Sequence, residues 1–127
     1  SFELVGKTGL FEHEGDYCFA SYLIRVLLKP QVMLSQFLNY FMNSDGFQAS
    51  VKRKASKSIN QANINATILS NERVRFPESL RAQRVLVTRL DNLRAESYGL
   101  RTLYERKTAA LDALKKSVLH QAFTGNL

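Results

Sequence analysis

The residues that follow Pro77 are the strongest constraint on the fold, because this stretch of 50 residues contains no proline and only two glycines. Steps of four and three residues from Leu86 meet an apolar side chain at eight of eleven positions. This seven-residue repeat is typical of a coiled coil. We expect one helix over about 78–123, or two nearly collinear helices with a bend near Gly99. The apolar positions, called the heptad seam below, are Leu86, Leu90, Leu93, Leu100, Tyr104, Leu111, Leu114 and Val118.

A helix of this length extends roughly 70 Å, which is more than a small domain covers. The heptad seam therefore requires a partner helix, from this chain, a second copy or another protein. Two polar residues, Ser97 and Lys107, interrupt the seam. They indicate either a solvated, slightly bent middle or a device that sets the register and orientation of the partner helix.

The first 76 residues have a different texture and predict a small mixed α/β part. Aromatic and branched residues over 17–28 indicate one or two buried strands, and the alternation over 73–76 indicates a last short strand. Apolar spacing predicts a helix over 34–42. A second helix is expected after Asp45 as its N-cap, with Phe47 and Val51 on its buried side. The predicted class is therefore α+β, with a small mixed α/β part over residues 1–76 followed by a long coiled-coil-forming helix over residues 77–127.

The chain is basic, with 18 Lys and Arg against 11 Asp and Glu and a net charge of +7. Such a surplus is compatible with nucleic acid, an anionic membrane surface or an acidic partner. The cations concentrate in one cluster, and an amide-rich segment over 55–65 follows it as a loop or short edge strand. We expect phosphate contacts from Lys52, Arg53, Lys54 and Lys57, and contacts to base edges from Asn60, Gln61 and Asn63. The alternative is a solvated basic helix end followed by a hydrophilic loop.

Enzyme motifs are weak in this sequence. Lys7 and Thr8 follow Gly6 in a turn, but Ser1 stands where a phosphate-binding loop has its first glycine. We therefore exclude nucleotide hydrolysis and keep Lys7 and Thr8 as weaker candidates for DNA contact. The single cysteine fits a reducing compartment, and neither a metal site nor a membrane-spanning segment is expected. A hydrolase that uses Cys18 and His13 is a distant hypothesis.

Two stretches resemble the specificity subunits of type I restriction-modification enzymes. The sequence PESLRAQRVLVTRLD over 77–91 is similar to the start of a conserved helix in that family. The sequence LDALKKSVLHQAFTGNL over 111–127 resembles the end of the same helix, where the family pattern has Gln-Ala-Phe, then Ser or Thr, Gly and Leu. Residues 1–76 resemble the later part of a target-recognition domain less sharply.

The resemblance implies a non-catalytic, cytoplasmic part of a specificity subunit, without a cofactor of its own. Such a subunit recognises double-stranded DNA as two half-sites, which two antiparallel conserved helices space apart. Modification subunits dock on this scaffold, and restriction subunits join through the complex. Because the second helix is not in this chain, we expect self-association through the heptad seam. The rival hypothesis is a coiled-coil assembly protein whose basic surface does not recognise DNA.

Overall fold

The computed structural model describes residues 5–58 and 61–125, which form helices and one short β-hairpin. By their contacts the residues divide into two units, Ser1–Val87 and Thr88–Leu127. The elements are α1 (Ser35–Met42), α2 (Asp45–Lys54), β1 (Ser56–Ser58), β2 (Gln61–Asn63), α3 (Ala66–Ser70) and α4 (Leu80–Thr124).

The first two helices form the apolar core of the first unit. Its buried members come from α1, α2 and the segment just before α1, and Val51 is fully buried. Partly buried side chains from the flanking segments, including Leu28, Ile64 and Phe76, pack against this core. Burial of such side chains is the main stabilising contribution, at about 1.5–3 kcal/mol for each fully buried one. The buried members are Met33, Leu38, Met42, Phe47 and Val51.

The two predicted helices in this part are confirmed, and the predicted cap of the second is wrong. The N-cap of α2 is Ser44, with extended backbone, and Asp45 is the first helical residue. A carboxylate there suits the positive end of the helix dipole. Gln48 of α2 is buried, and its Nε2 donates to the carbonyl oxygens of Gly6 at 2.6 Å and Met42 at 2.7 Å.

The predicted α+β class is wrong, because the described residues form a helical fold. Strand pairing in them is confined to β1 and β2, two antiparallel segments of three residues in which Ser56 pairs with Asn63. We expected strands over residues 17–28 and 73–76, but both segments have irregular backbone. The first contains a turn, in which Leu23 N donates to Ala20 O at 2.9 Å. A strand needs a neighbouring backbone to satisfy its N–H and C=O groups. The described part of the chain supplies none to these segments.

The start of α4 belongs to the first unit and contains its most buried polar side chain. Ser79 precedes the helix, and its Oγ accepts a hydrogen bond from Ala82 N at 3.4 Å. Gln83 is fully buried, and Val87, one turn later, is 8% exposed. The carboxamide of Gln83 accepts from Leu34 N at 2.9 Å. It donates to Val32 O at 2.9 Å and to Pro77 O at 2.8 Å.

From Thr88 onward α4 is the second unit, and the prediction of a long helix is confirmed. The helix continues without interruption to Thr124, so Gly99 does not divide it. Nearly all of its side chains after Val87 are exposed, and Thr102 is half-buried with its Oγ1 donating to Tyr98 O at 3.1 Å. No apolar core therefore supports this part of the helix within its own unit.

Gly6 provides the first test of this fold. Its φ is +80°, and an added Cβ would lie 2.9 Å from Val51 Cγ2 and 3.2 Å from Ile64 Cδ1. We predict that Gly6→Ala lowers the free energy of unfolding by about 2–4 kcal/mol, from left-handed backbone strain together with overpacking. Urea denaturation followed by circular dichroism measures this change.

Gly9→Ala is the matched control, because a Cβ at Gly9 has no heavy atom within 4 Å. We expect it to leave the urea midpoint nearly unchanged. Equal effects of the two substitutions would contradict the close approach of Gly6 to α2.

Candidate nucleic-acid interface and heptad seam

The basic cluster occupies the last turn of α2. Lys52, Arg53 and Lys54 are consecutive there, at the end of the helix where its dipole favours cations. Arg53 and Lys54 are exposed, and Lys52 is half-buried. Three successive residues of a helix point in different directions, about 100° apart, so they cover most of its circumference at this end.

Lys54 is held by an acidic residue from the segment after α3. Its Nζ donates to Glu72 Oε1 at 2.6 Å, and the Ser50 hydroxyl donates to Glu72 Oε2 at 3.1 Å. The side chain of Glu72 is only 9% exposed, whereas that of Lys54 is 50% exposed. The hydrogen bond from Lys54 is the largest influence on this carboxyl group and holds its pKa below the ordinary value of 4.5, against the opposing effect of burial. Ser50 and the charges of Lys54 and Arg53 lower the pKa further.

The remaining candidates of the cluster lie on the hairpin that follows α2. Lys57 belongs to β1 and pairs with Ala62, while Gln61 and Asn63 belong to β2. Asn60 lies outside the described residues. The fold therefore places the basic end of α2 one residue before a hairpin that contains most of the amide candidates.

Hydrogen bonds at Gly6 and Thr8 hold the loop of Lys7 against the helices. The carbonyl of Gly6 accepts from Gln48 of α2. The hydroxyl of Thr8 donates to Asn39 Oδ1 at 3.0 Å, and Asn43 Nδ2 donates to the same hydroxyl at 2.8 Å. Lys7 is exposed between these anchors. The Thr8 hydroxyl thus has a structural partner on α1, and Lys7 is the cation that this loop presents to solvent.

All eight members of the heptad seam are exposed on α4. Their exposed fractions run from 38% for Leu90 to 66% for Leu111. The polar interruptions at Ser97 and Lys107 are exposed as well, and Lys107 Nζ lies 5.9 Å from the centre of the Tyr104 ring. An exposed apolar row of this length on one helix is typical of interaction surfaces.

Three structural residues were not singled out from the sequence. Gln83 had one available signal, since it lies three residues before Leu86 and so continues the heptad seam backward with a polar side chain. Glu72 and Asn43 had no local signal, because their partners Lys54 and Thr8 are 18 and 35 residues away.

Within 5–58 and 61–125 no three His, Cys, Asp or Glu side chains are grouped so that they would bind a metal ion. Cys18 is exposed, and the His13 ring packs edge-on against Phe11 with 5.4 Å between ring centres. In the same part of the chain, no helix combines the length and apolar content needed to cross a bilayer.

Comparison with known proteins gives one informative relative. No protein-family model matches the chain, and no solved structure matches it. The chain is 27% identical over 128 aligned residues to the "Type I restriction enzyme StySPI specificity subunit" of Salmonella potsdam. The alignment covers 100% of this chain and 27% of that protein, so the chain spans about a quarter of the length of its relative.

The lowered pKa of Glu72 predicts that the stability of the first unit depends on pH. Because the pKa of Glu72 is lower in the folded chain, its contribution is fully present above 4.5 and is lost as pH falls through the folded pKa. We predict that Glu72→Gln reduces the decrease in melting temperature between neutral and acid conditions. Calorimetry across this range measures it.

Glu78→Gln, at an exposed position before α4, is the control. It should leave the pH profile of the parent chain unchanged. If the melting temperature of Glu72→Gln varies with pH as that of the parent chain does, the ion pair of Lys54 and Glu72 makes no net contribution to stability.

Proposed function

We propose that the chain is a DNA-recognition segment of a type I restriction-modification specificity subunit. The observation that carries this proposal is the similarity of the whole chain to such a subunit. The role is non-catalytic: the segment contributes DNA recognition, and the other subunits of the complex contribute modification and cleavage. In this proposal residues 1–76 belong to a target-recognition domain for one half of a split site, and residues 77–127 form the helix that spaces it and docks modification subunits.

The basic end of α2 is the proposed contact to the DNA backbone. Arg53 is exposed and Lys54 is half exposed, and both lie beside a hairpin that contains Lys57. Cations in this position neutralise phosphates and release counterions, which gives affinity without sequence preference. The amides of Gln61, Asn63 and Asn60 follow in the sequence as candidates for base edges, to which Asn and Gln bind in the major groove. Lys7 is a further candidate for a phosphate.

Replacing Lys52, Arg53 and Lys54 with Ala tests this contact. In the complete subunit assembled with its modification subunits, we expect weaker duplex binding and a shallower salt dependence. For each phosphate that is no longer neutralised, the slope of log K against log salt should decrease by about 0.9. Because Lys54→Ala also removes the ion pair with nearly buried Glu72, we expect a moderate decrease in melting temperature, and the salt slope is the readout that reports DNA contact.

Lys115→Ala with Lys116→Ala, at exposed cations near the end of α4, is the matched control. An unchanged salt slope combined with a strongly lowered melting temperature would favour a structural role for the α2 cations. If the parent assembly does not bind duplex DNA either, the proposed function is wrong and the rival function, a coiled-coil assembly protein, is favoured.

The second part of the proposal is that the isolated chain associates with a second copy through α4. The heptad seam is symmetric about Thr102, so an antiparallel pair centred there sets each seam position against another seam position. Leu93 then faces Leu111 of the second copy, and Ser97 faces Lys107. Such a pair is two-fold symmetric and closes on itself. The two copies of Arg101 come near the centre, and each has Glu105 of its own helix 3.5 Å away as a counter-charge.

Sedimentation equilibrium at micromolar concentration tests this pairing. We expect the chain to be a dimer, and Leu93→Lys to shift it toward monomer because a charge replaces an apolar contact at the seam. Leu119→Lys is the matched control, since Leu119 is an exposed leucine outside the seam. A strictly monomeric parent chain would refute self-association, and an equal decrease of dimer in both variants would refute the seam as the interface.

A further inference from the structure

The carboxamide of Gln83 makes three hydrogen bonds, all of them to backbone atoms. Its Oε1 accepts from Leu34 N, and its two amide hydrogens go to Val32 O and Pro77 O, all within 2.9 Å. Leu34 and Val32 precede α1, and Pro77 precedes α4. One side chain therefore connects the residues before α1, the residues before α4 and the first turns of α4 itself.

These three bonds require one acceptor and two donors on the same planar group. They also require a side chain of the length of glutamine, so that the group reaches all three backbone partners. Asparagine is shorter by one methylene, and a glutamate carboxylate accepts only. The partners are backbone groups, so they cannot adjust by changing rotamer. The side chain is also fully buried, so water does not replace a broken bond.

We propose that Gln83 is a positioning residue, which sets the start of α4 against the segment before α1. Apolar packing alone would leave the first two turns of α4 free to slide or rotate, because Val87 is the only other buried residue there among those described. The three hydrogen bonds remove that freedom. This inference goes beyond the proposed function and holds whether or not the chain binds DNA.

Spin labels within the first unit test the proposal. In a Cys18→Ser background, labels at Ala49→Cys on α2 and Val85→Cys on α4 report the distance between the two helices by electron paramagnetic resonance. Both positions are exposed, and excess unlabelled chain suppresses signals between copies. We expect Gln83→Met, which keeps the length and volume of the side chain but has no amide, to broaden and shift the distance distribution while the circular dichroism of α4 is retained.

Val87→Ala is the matched control, because it removes buried apolar volume from the same helix without removing a hydrogen bond. It should lower the melting temperature and leave the distance distribution narrow. A narrow distribution in Gln83→Met, or equal broadening in Val87→Ala, would overturn the positioning role. So would a Gln83→Met chain that does not fold, since Gln83 would then act through stability as a whole.

Discussion

The hydrogen bonds of Gln83 constrain how the start of α4 packs in the first unit. A buried amide without partners costs about 1–3 kcal/mol for each group left unsatisfied, so its three bonds define one geometry and penalise others. Apolar contacts of Val51 and its neighbours are larger in total and less selective, because aliphatic surfaces pack in many similar ways. The core therefore supplies stability, and the carboxamide supplies the specific position of α4.

Two apolar segments outside this core are exposed, and their exposure has the same cause. The segment over 17–28 has the composition of a central strand, and α4 has the periodicity of a coiled coil. Each type of element is stable only when a second element supplies backbone partners or an apolar face. Residues 17–28 have no strand partner among the described residues, and α4 from Thr88 onward has no apolar partner within its own unit, so the segment is irregular and this part of the helix is exposed.

This difference explains how much could be predicted from sequence. The helix α4 and the buried side of α2 depend on local spacing, and both predictions were right. The strands depended on pairing with distant backbone, which composition does not reveal, and that prediction was wrong. Within the candidate site, the basic turn was apparent from composition. The ion pair of Lys54 with Glu72 was not apparent, because that contact arises from tertiary packing between residues 18 positions apart.

The small helix α3 was missed for a related reason. Its cap, in which Asn65 Oδ1 accepts from Ile68 N at 2.8 Å, lies in an amide-rich stretch typical of loops.

The occupied state of Lys54 has a consequence for any anion that binds there. An anion that draws Lys54 away from Glu72 replaces a nearly buried carboxylate that already has a hydrogen bond from Ser50. Once Lys54 leaves, the main influence that lowers the pKa of Glu72 is removed, so this pKa rises, while Ser50 and Arg53 still lower it. We expect such an exchange to be coupled to proton uptake by Glu72 in the acid range. A multivalent polyanion that engages the neighbouring cations at the same time overcomes this exchange cost more readily than a single small ion does.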